Sequence, residues 1–237
     1  SGGITDETRS VPVFSVDGGL FFDRELHFRN RTYTQTLEPR LFLLKIPFKD
    51  QAKIPNFSTT ESDFSFAQIF SENRFIGGDR INDADQITGA LITRFLDKDG
   101  GERLRAALGQ RYNFKEQRVT LSGTATDGRR VSDLLAGLSG RLSSRWWLDS
   151  AVQYDTDLAR TQKNSFALRY SPGTGKVVNL GYRFNRDPSN PFEQVDISGL
   201  WPLSERWYGM ARANYSLRDS ELVEGLLGLE YNNCCWS

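Results

Sequence analysis

The stretch that decides the fold is Arg103-Leu104-Arg105-Ala106-Ala107-Leu108-Gly109-Gln110-Arg111-Tyr112-Asn113-Phe114, in which side-chain character alternates residue by residue. One set of alternate positions is largely apolar and ends on aromatic rings, whereas the other set is basic or small. A strand of a water-soluble sandwich can show this alternation, but three arginines opposite an apolar row are more typical of a water-filled lumen. The stretch therefore predicts a β-strand with one lipid-facing and one lumen-facing side.

The same alternation recurs at short intervals along the chain. Turn-forming residues separate the repeats, as at Asp99-Gly100-Gly101, Asp127-Gly128, Ser171-Pro172-Gly173 and Asn185 to Pro191. Strands are predicted at residues 11–22, 35–46, 87–96, 103–114, 119–125, 134–142, 146–154, 166–170, 178–184, 195–201, 207–217 and 223–231. Roughly a dozen strands at this spacing indicate a meander, so we predict an all-β fold, an antiparallel transmembrane β-barrel.

Aromatic residues lie close to the ends of the predicted strands. Tyr154, Tyr170, Trp207 and Tyr231 are examples of this placement. High β-propensity explains why aromatic residues occur in strands, but it does not explain their clustering at strand ends. Membrane barrels place aromatic girdles there, and the clustering therefore favours a barrel over a soluble sandwich.

Composition excludes two classes of protein. No run of the 237 residues approaches the eighteen consecutive apolar residues that a transmembrane helix requires. The mean hydropathy of −0.50 remains compatible with a membrane barrel, because polar lumen-facing residues lower the average. The 30 basic and 30 acidic side chains balance, which argues against a nucleic-acid partner.

The stretch from Pro47 to Gln86 interrupts the alternation and is long for a loop. It contains six phenylalanines, and a chain with so many apolar rings is expected to bury them. We therefore predict a compact folded insertion at about residues 47–86, with one possible helical segment from Phe64 to Phe70.

Signals for catalysis or for a metal are weak. His27 is the only histidine, and it lies in a polar run with no plausible Ser-His-acid arrangement, so a surface loop is the simpler assignment. Asp83 and Asp85 are residues of the kind that turns and loops commonly contain, and no phosphate-binding glycine motif occurs. Two adjacent cysteines and one histidine do not make a zinc site. We predict no enzymatic activity, no metal and no cofactor.

Several motifs carry a family resemblance. Leu37-Glu38-Pro39-Arg40-Leu41 looks like a Leu-Glu-Pro-Arg signature, and residues 73–86 resemble Asn-Arg-Phe-x-Gly-x-Asp-Arg-Ile-x-Asp-Ala-Asn-Gln, with Asp85 in place of the last Asn. Residues 109–112, 201–204 and 234–236 match as well. The chain thus resembles the LptD family, which inserts lipopolysaccharide into the outer leaflet. The motif residues are Glu38, Pro39, Arg40, Asn73, Arg74, Gly77, Gly78, Asp79, Arg80, Asp83 and Gln86.

The resemblance implies an outer-membrane barrel that transports lipopolysaccharide through its lumen and releases it sideways. The implied partners are lipopolysaccharide, a plug lipoprotein of the LptE type, a periplasmic bridge protein and outer-membrane lipid. Residues 1–237 would be part of one barrel domain, and the family's N-terminal periplasmic domain and last strands would be absent. A passive porin and a soluble all-β binding protein remain the alternatives.

Two groups of charged residues are candidates for the lumen side. The first group comprises Arg103, Arg105, Arg111, Arg169, Arg183 and Arg212, and each is expected to bond to an acid on a neighbouring strand. The second comprises Asp79 and Arg80 of the insertion motif. These two residues would either pair with charges near Glu38 and Arg40, as a gate, or stabilise a self-contained turn.

Cys234 and Cys235 are adjacent. Composition alone leaves two interpretations open, namely free thiols in a strand and disulfides to distant cysteines. A disulfide between neighbours would strain the intervening peptide, and successive strand residues point to opposite faces. With the family resemblance, we expect both to pair with cysteines outside this chain, in the periplasmic region.

Overall fold

A computed structural model describes residues 9–28, 31–121, 128–188 and 190–231. Fourteen strands occur there: β1 (Phe14–Gly19), β2 (Phe22–Phe28), β3 (Arg31–Ile46), β4 (Thr60–Glu61), β5 (Phe75–Ile76), β6 (Ala84–Leu96), β7 (Glu102–Asn113), β8 (Leu134–Arg141), β9 (Trp146–Asp155), β10 (Arg160–Gly173), β11 (Lys176–Asn185), β12 (Phe192–Pro202), β13 (Trp207–Ser216) and β14 (Glu221–Tyr231). The predicted all-β, antiparallel fold is confirmed.

Twelve strands form one sheet in the order β1-β3-β6-β7-β8-β9-β10-β11-β12-β13-β14, with β2 also paired to β3. The strands β4 and β5 form a separate two-stranded sheet within the insertion. Neighbours from β8 to β14 follow chain order, which is the meander that the spacing of turn residues predicts. Within the described residues, no helix is long and apolar enough to cross a membrane.

The chain divides into two compact units. The first contains Ser1–Phe21, Glu38–Leu91 and Gly109–Leu134, and the second contains Phe22–Leu37, Ile92–Leu108 and Leu135–Ser237. The first unit includes the insertion, and the second includes all of β9 to β14.

In the first unit, alternation separates a covered face of the sheet from an exposed one. Phe42, Leu44 and Ile46 of β3 are buried with Ala84 of β6, and Phe70 of the insertion packs against this cluster. The intervening Leu41 and Leu43 are exposed. The insertion therefore folds onto one face of β3, β6 and β7 and leaves the other face open.

In the second unit, cross-strand pairs extend the same alternation. Leu168 of β10 lies opposite both Leu148 and Leu180, and Leu180 lies opposite Ile197, which makes a continuous apolar row. On the other face, Asn179 lies opposite both Arg169 and Ser198. One face of this unit is thus apolar and the other is polar.

Three local predictions were wrong. The strand predicted at residues 119–125 does not form over 119–121, while 122–127 lie outside the described residues; β7 pairs directly with β8, and Val131 makes only a bridge to Tyr112. The run around His27 is strand β2 rather than a loop, because its residues pair with residues 31–37. Residues 64–70 form turns, with one helical bond from Ile69 N to Ser65 O of 2.8 Å.

Candidate functional site

Nearly all the candidate site residues predicted from the sequence lie in the insertion or on the sheet faces that bear arginines. Cys234 and Cys235 lie outside the described residues. The side-chain contacts of the insertion described below lie within the first unit, and those of Arg169, Arg183 and Arg212 lie within the second.

Arg40 connects β3 to both β1 and the insertion. Its Nε donates to Asp17 Oδ1 at 2.9 Å, and its guanidinium lies 4.0 Å from the ring centroid of Phe70. Pro39 precedes it at the point where the partner strand is interrupted between β1 and β2, and its carbonyl accepts a bond from Leu20 N at 3.0 Å. A proline is tolerated there because no N–H is needed for the ladder. Glu38 lies beside it, half-buried, on β3.

Arg111 fixes the insertion to β7. Its side chain donates to the carbonyl of Ile69 at 2.7 Å and more weakly to that of Gln68 at 3.4 Å, and it lies over the ring of Phe64. Arg111 is 9% exposed, and no carboxylate among the described residues pairs with it. The backbone carbonyl groups of Gln68 and Ile69 thus bind Arg111 in place of the carboxylate that the sequence predicts as its partner.

Gly109 allows this close approach. A Cβ at Gly109 would lie 3.2 Å from both Ile69 and Phe66 of the insertion. The insertion therefore rests directly on the backbone of β7, two residues before Arg111.

Arg74 and Asp83 join the insertion to the segment that follows β7. Arg74 donates to Gln117 Oε1 at 2.6 Å and to the carbonyl of Val119. The carboxylate of Asp83 accepts the backbone N–H groups of Arg118, at 2.9 and 3.0 Å, and of Val119, at 2.8 Å. These bonds hold residues 117–119 in place without regular secondary structure.

Two amide side chains complete this part of the motif. Asn73 Oδ1 accepts from Phe75 N and Asn82 N, each at 3.3 Å, and its Nδ2 donates to the carbonyl of Arg80 at 3.1 Å. Gln86 Oε1, on β6, accepts from Gln117 Nε2 at 3.1 Å. Both amides therefore act as structural connectors.

Asp79 and Arg80 stabilise a self-contained turn. Asp79 Oδ2 accepts the N–H groups of Phe57 and Ser58, both at 2.9 Å, and these bonds hold the pKa of its carboxyl below the ordinary value of 3.8. Arg80, which is buried, donates to the carbonyls of Asp79 and Ile54 at 2.9 and 2.7 Å. These bonds match the self-contained turn rather than a pair with Glu38 or Arg40.

The two glycines of the motif have different surroundings. Gly77 has a φ of 109°, and a Cβ there would lie 2.8 Å from Thr59 Oγ1. A Cβ at Gly78 would meet nothing within 4 Å, and the carbonyl of Gly78 accepts from Arg9 at 2.7 Å. Only Gly77 is required by the backbone conformation.

Sequence reasoning missed Arg9, Gln51 and Gln117, which bind the insertion. Arg9 donates to Gln51 Oε1 at 2.6 Å and to the carbonyl of Asp79 at 2.7 Å. Gln51 also exchanges bonds with the N–H and carbonyl of Ile81, at 3.1 and 2.7 Å. All three lie outside the family motifs, and no local pattern marks a glutamine that will bond to a distant backbone.

The remaining candidate arginines have varied partners. Arg212 pairs with Asp196 of β12 at 2.9 Å and with Glu224 of β14 at 3.4 Å, which are acids on neighbouring strands as predicted. Arg103 instead pairs at 3.5 Å with Asp97, which lies in the turn between β6 and β7. Arg169 and Arg183 instead donate to the amide oxygens of Asn179 and Gln194, at 3.1 and 3.3 Å. Arg105 is half-buried, and no ion pair to it forms within the described part of the chain.

His27 is exposed on β2, opposite Thr32. Within the described ranges, no group of three or more His, Cys, Asp or Glu residues is placed to hold a metal ion. The nominated side chains mostly bind backbone or neighbouring side chains, which is what a structural scaffold requires.

Comparison with known proteins gives a consistent result. The family model described as LptD, LPS transport system D, matches residues 3–207. The chain is 49% identical over 230 residues to the LPS-assembly protein LptD of Thiobacillus denitrificans, covering 97% of this chain and 31% of that protein. It is 46% identical to the protein of that name from Azoarcus sp., covering 99% and 30%, and 47% identical to that from Aromatoleum aromaticum, covering 97% and 29%. The chain thus spans about a third of the length of these relatives.

Proposed function

Because the chain belongs to the LptD family, we propose that it forms part of the wall of an outer-membrane β-barrel that assembles lipopolysaccharide into the outer leaflet. The glycolipid passes through the lumen and leaves sideways into the bilayer. The observation that supports this proposal best is the two-sided sheet of the second unit. Its apolar row from Leu148 to Ile197 suits lipid, and its opposite face bears Arg169, Arg183 and Arg212.

The polar face has the chemistry that a phosphorylated sugar needs. Each of the three arginines is exposed and is already bonded to an amide or a carboxylate, so no single one is a deep binding site. A row of such groups offers many weak, exchangeable contacts, which suits a surface along which an anionic headgroup moves. The acyl chains require an apolar path, and the lateral exit supplies it.

In the first unit, the insertion covers one face of the sheet. We propose that it lies in the lumen, where its hydrogen-bonded frame forms part of the transport path and not a catalytic centre. Lipopolysaccharide is the substrate, a plug lipoprotein occupies the lumen, and a periplasmic bridge protein delivers the glycolipid to the family's N-terminal domain. The single barrel domain of residues 1–237 and the disulfides of Cys234 and Cys235 belong to the same proposal.

The test uses the full-length protein in a strain depleted of its own copy. Replacing Arg169, Arg183 and Arg212 together by serine should reduce the appearance of new lipopolysaccharide at the cell surface. A matched variant replaces the exposed Arg145, Arg160 and Arg206, which flank strands, by serine and should transport normally. Equal transport by the two triple variants would contradict the role of the polar face.

Membrane placement needs a separate measurement. The full-length protein should resist extraction by carbonate, require detergent and migrate faster on a gel before heating than after it. Release by carbonate would contradict the outer-membrane assignment, whatever the transport assay shows.

A further inference from the structure

A half-open cavity of about 700 Å³ lies where β3 ends and β6 begins, entirely within the first unit. We call it the rim pocket. It combines basic side chains with two exposed aromatic rings. The residues that line it are Lys45, Ile46, Pro47, Phe48, Asp83, Ala84, Asp85, Phe114, Lys115, Glu116, Arg118 and Arg130.

Three cations of the rim pocket form no ion pair with the acids that the structure describes. Lys45, Arg118 and Arg130 are exposed, and none forms an ion pair with a residue in the described part of the chain. The other cation, Lys115, pairs with Asp85 at 3.5 Å. The pocket therefore presents three positive charges that remain available to a ligand.

The acids in the lining offset part of this charge. Asp83 is buried, and its carboxylate accepts the backbone N–H groups of Arg118 and Val119, which are neutral donors, so it keeps its negative charge. Asp85 is paired with Lys115, and Glu116 is an exposed acid without an ion pair to a described residue. The four cations of the lining exceed its three carboxylates, and the excess positive charge favours an anionic ligand.

Hydrogen bonds hold the backbone in place at two of these cations, Arg118 and Arg130. Asp83 holds the backbone of Arg118, whose guanidinium lies 3.8 Å from the ring centroid of Phe48. The carbonyl of Arg130 accepts from Asn113 N at 2.6 Å, which attaches it to β7. Such preorganised cations lose less conformational entropy on binding than free surface side chains do.

The pocket continues the exposed apolar face of the sheet. Lys45 follows Leu41 and Leu43 at alternate positions of β3 and lies opposite Phe14, while Leu43 lies opposite Val16. All of these residues are exposed. A ligand that fits both surfaces has a phosphate at one end and hydrocarbon at the other, and Lys and Arg at a membrane surface are typical ligands of such headgroups.

We propose that the rim pocket binds the phosphate of a phosphorylated glycolipid whose acyl chains lie along the apolar face of β1 and β3. This inference rests on the membrane placement in the proposed function, but it does not depend on transport through the lumen. The lipid bound here lies on the exposed apolar face of β1 and β3, within the first unit.

The experiment places the full-length protein in phosphatidylcholine nanodiscs with a trace of diphosphorylated lipid A and counts co-purified lipid by native mass spectrometry. Each basic residue near an anionic membrane surface contributes a factor of about five to affinity. The combined change Lys45→Gln, Arg118→Gln and Arg130→Gln should therefore weaken lipid A binding about a hundredfold. The conservative variant K45R/R118K/R130K should retain it.

The matched control replaces three other exposed cations, Lys53, Lys98 and Arg145, by glutamine, and it should bind lipid A normally. Heat-modifiability on a gel verifies that every variant is folded. Equal lipid A binding by the two glutamine variants would overturn the proposal. Displacement of lipid A by inorganic phosphate alone would also overturn it, and so would loss of lipid A binding when divalent cations are chelated. Failure of the wild type to enter nanodiscs would instead contradict the proposed function.

A further arm separates the possible lipid sources. Lipid A without phosphates should fail to compete, and phosphatidylglycerol, which has a single phosphodiester charge, should compete weakly. Competition by phosphatidylglycerol as strong as that by lipid A would overturn the assignment to a phosphorylated glycolipid.

Discussion

The guanidinium of Arg111 on β7 donates a hydrogen bond of 2.7 Å to the backbone carbonyl of Ile69 in the insertion. Both partners are buried, and Gly109 lets the insertion approach the strand closely enough for this bond to form. One buried cation near the end of β7 thus attaches the insertion to the sheet.

Replacing Arg111 by lysine should loosen the insertion while leaving the sheet intact. Lysine keeps the charge but loses the planar fork, so the carbonyls of Gln68 and Ile69 lose a rigid donor. A hydrogen bond to a charged group typically contributes about 1.5–3 kcal/mol, and we expect a loss of that order in the free energy of unfolding. Urea unfolding in detergent measures it. Arg169→Lys, at an exposed position, is the control, and an equal loss in both variants would contradict the special role of Arg111.

Replacing Gly77 by alanine should disturb the turn of the insertion, whereas the neighbouring Gly78→Ala should be tolerated. Gly77 has a φ of 109° and faces Thr59 closely, while Gly78 is open. Such backbone strain costs about 1–3 kcal/mol, which should appear as faster hydrogen exchange in residues 56–61 of the first variant only. If both glycine variants exchanged alike, the local geometry would not explain the motif.

The alternation of side chains was enough to predict the fold class and most strands. Leu168, Leu180 and Ile197 share a face because the period of a strand is two residues, and cross-strand pairing then makes the apolar row continuous. The strand prediction failed at residues 119–121, where the alternating pattern is present but the backbone bonds to a side chain. Val119 and Leu121 alternate like a strand, but Asp83 takes up the N–H groups at residues 118 and 119.

The candidate site was predicted less completely. The motif identified Arg74, Asp79 and Asp83, yet their partners are mainly backbone groups far away in the chain, which no periodicity reveals. Arg111 was predicted to find an acid, and its actual partners are carbonyls of a turn. The sequence marks which side chains are polar on a buried face, but the fold of the insertion decides what they bind.

The carboxylate of Asp79 should make the insertion sensitive to acid. Its pKa is lowered because the backbone N–H groups of Ser58 and Phe57 stabilise the charged form. A lowered folded-state pKa adds stability that is fully present above the ordinary value of 3.8 and is lost as the pH falls through the folded-state value. Hydrogen exchange of residues 56–61, corrected for intrinsic rates, should therefore accelerate in that acidic window.

Asp79→Asn is the matched variant for this acid response. The amide of the variant keeps one oxygen acceptor but cannot ionise. Protection of residues 56–61 from hydrogen exchange should therefore be weaker at neutral pH and should not change with pH through the acidic window. A wild-type protein with no acid response, or an asparagine variant with an unchanged one, would show that another group controls this turn.

Two adjacent residues of β7 provide a test of which side of this strand faces lipid. Leu108 is 47% exposed on the apolar side, whereas the adjacent Ala107 points to the opposite side with Arg103 and Arg105. An arginine on the lipid side near the bilayer midplane costs about 2–4 kcal/mol, while the same residue in a wet lumen costs little. Leu108→Arg should therefore reduce the fraction of full-length protein that reaches the heat-modifiable, folded form, and Ala107→Arg should leave most of it folded. Because the two variants differ by one position and add the same charge, general effects on expression cancel. Equal folded fractions would mean that the apolar row of β7 does not face lipid.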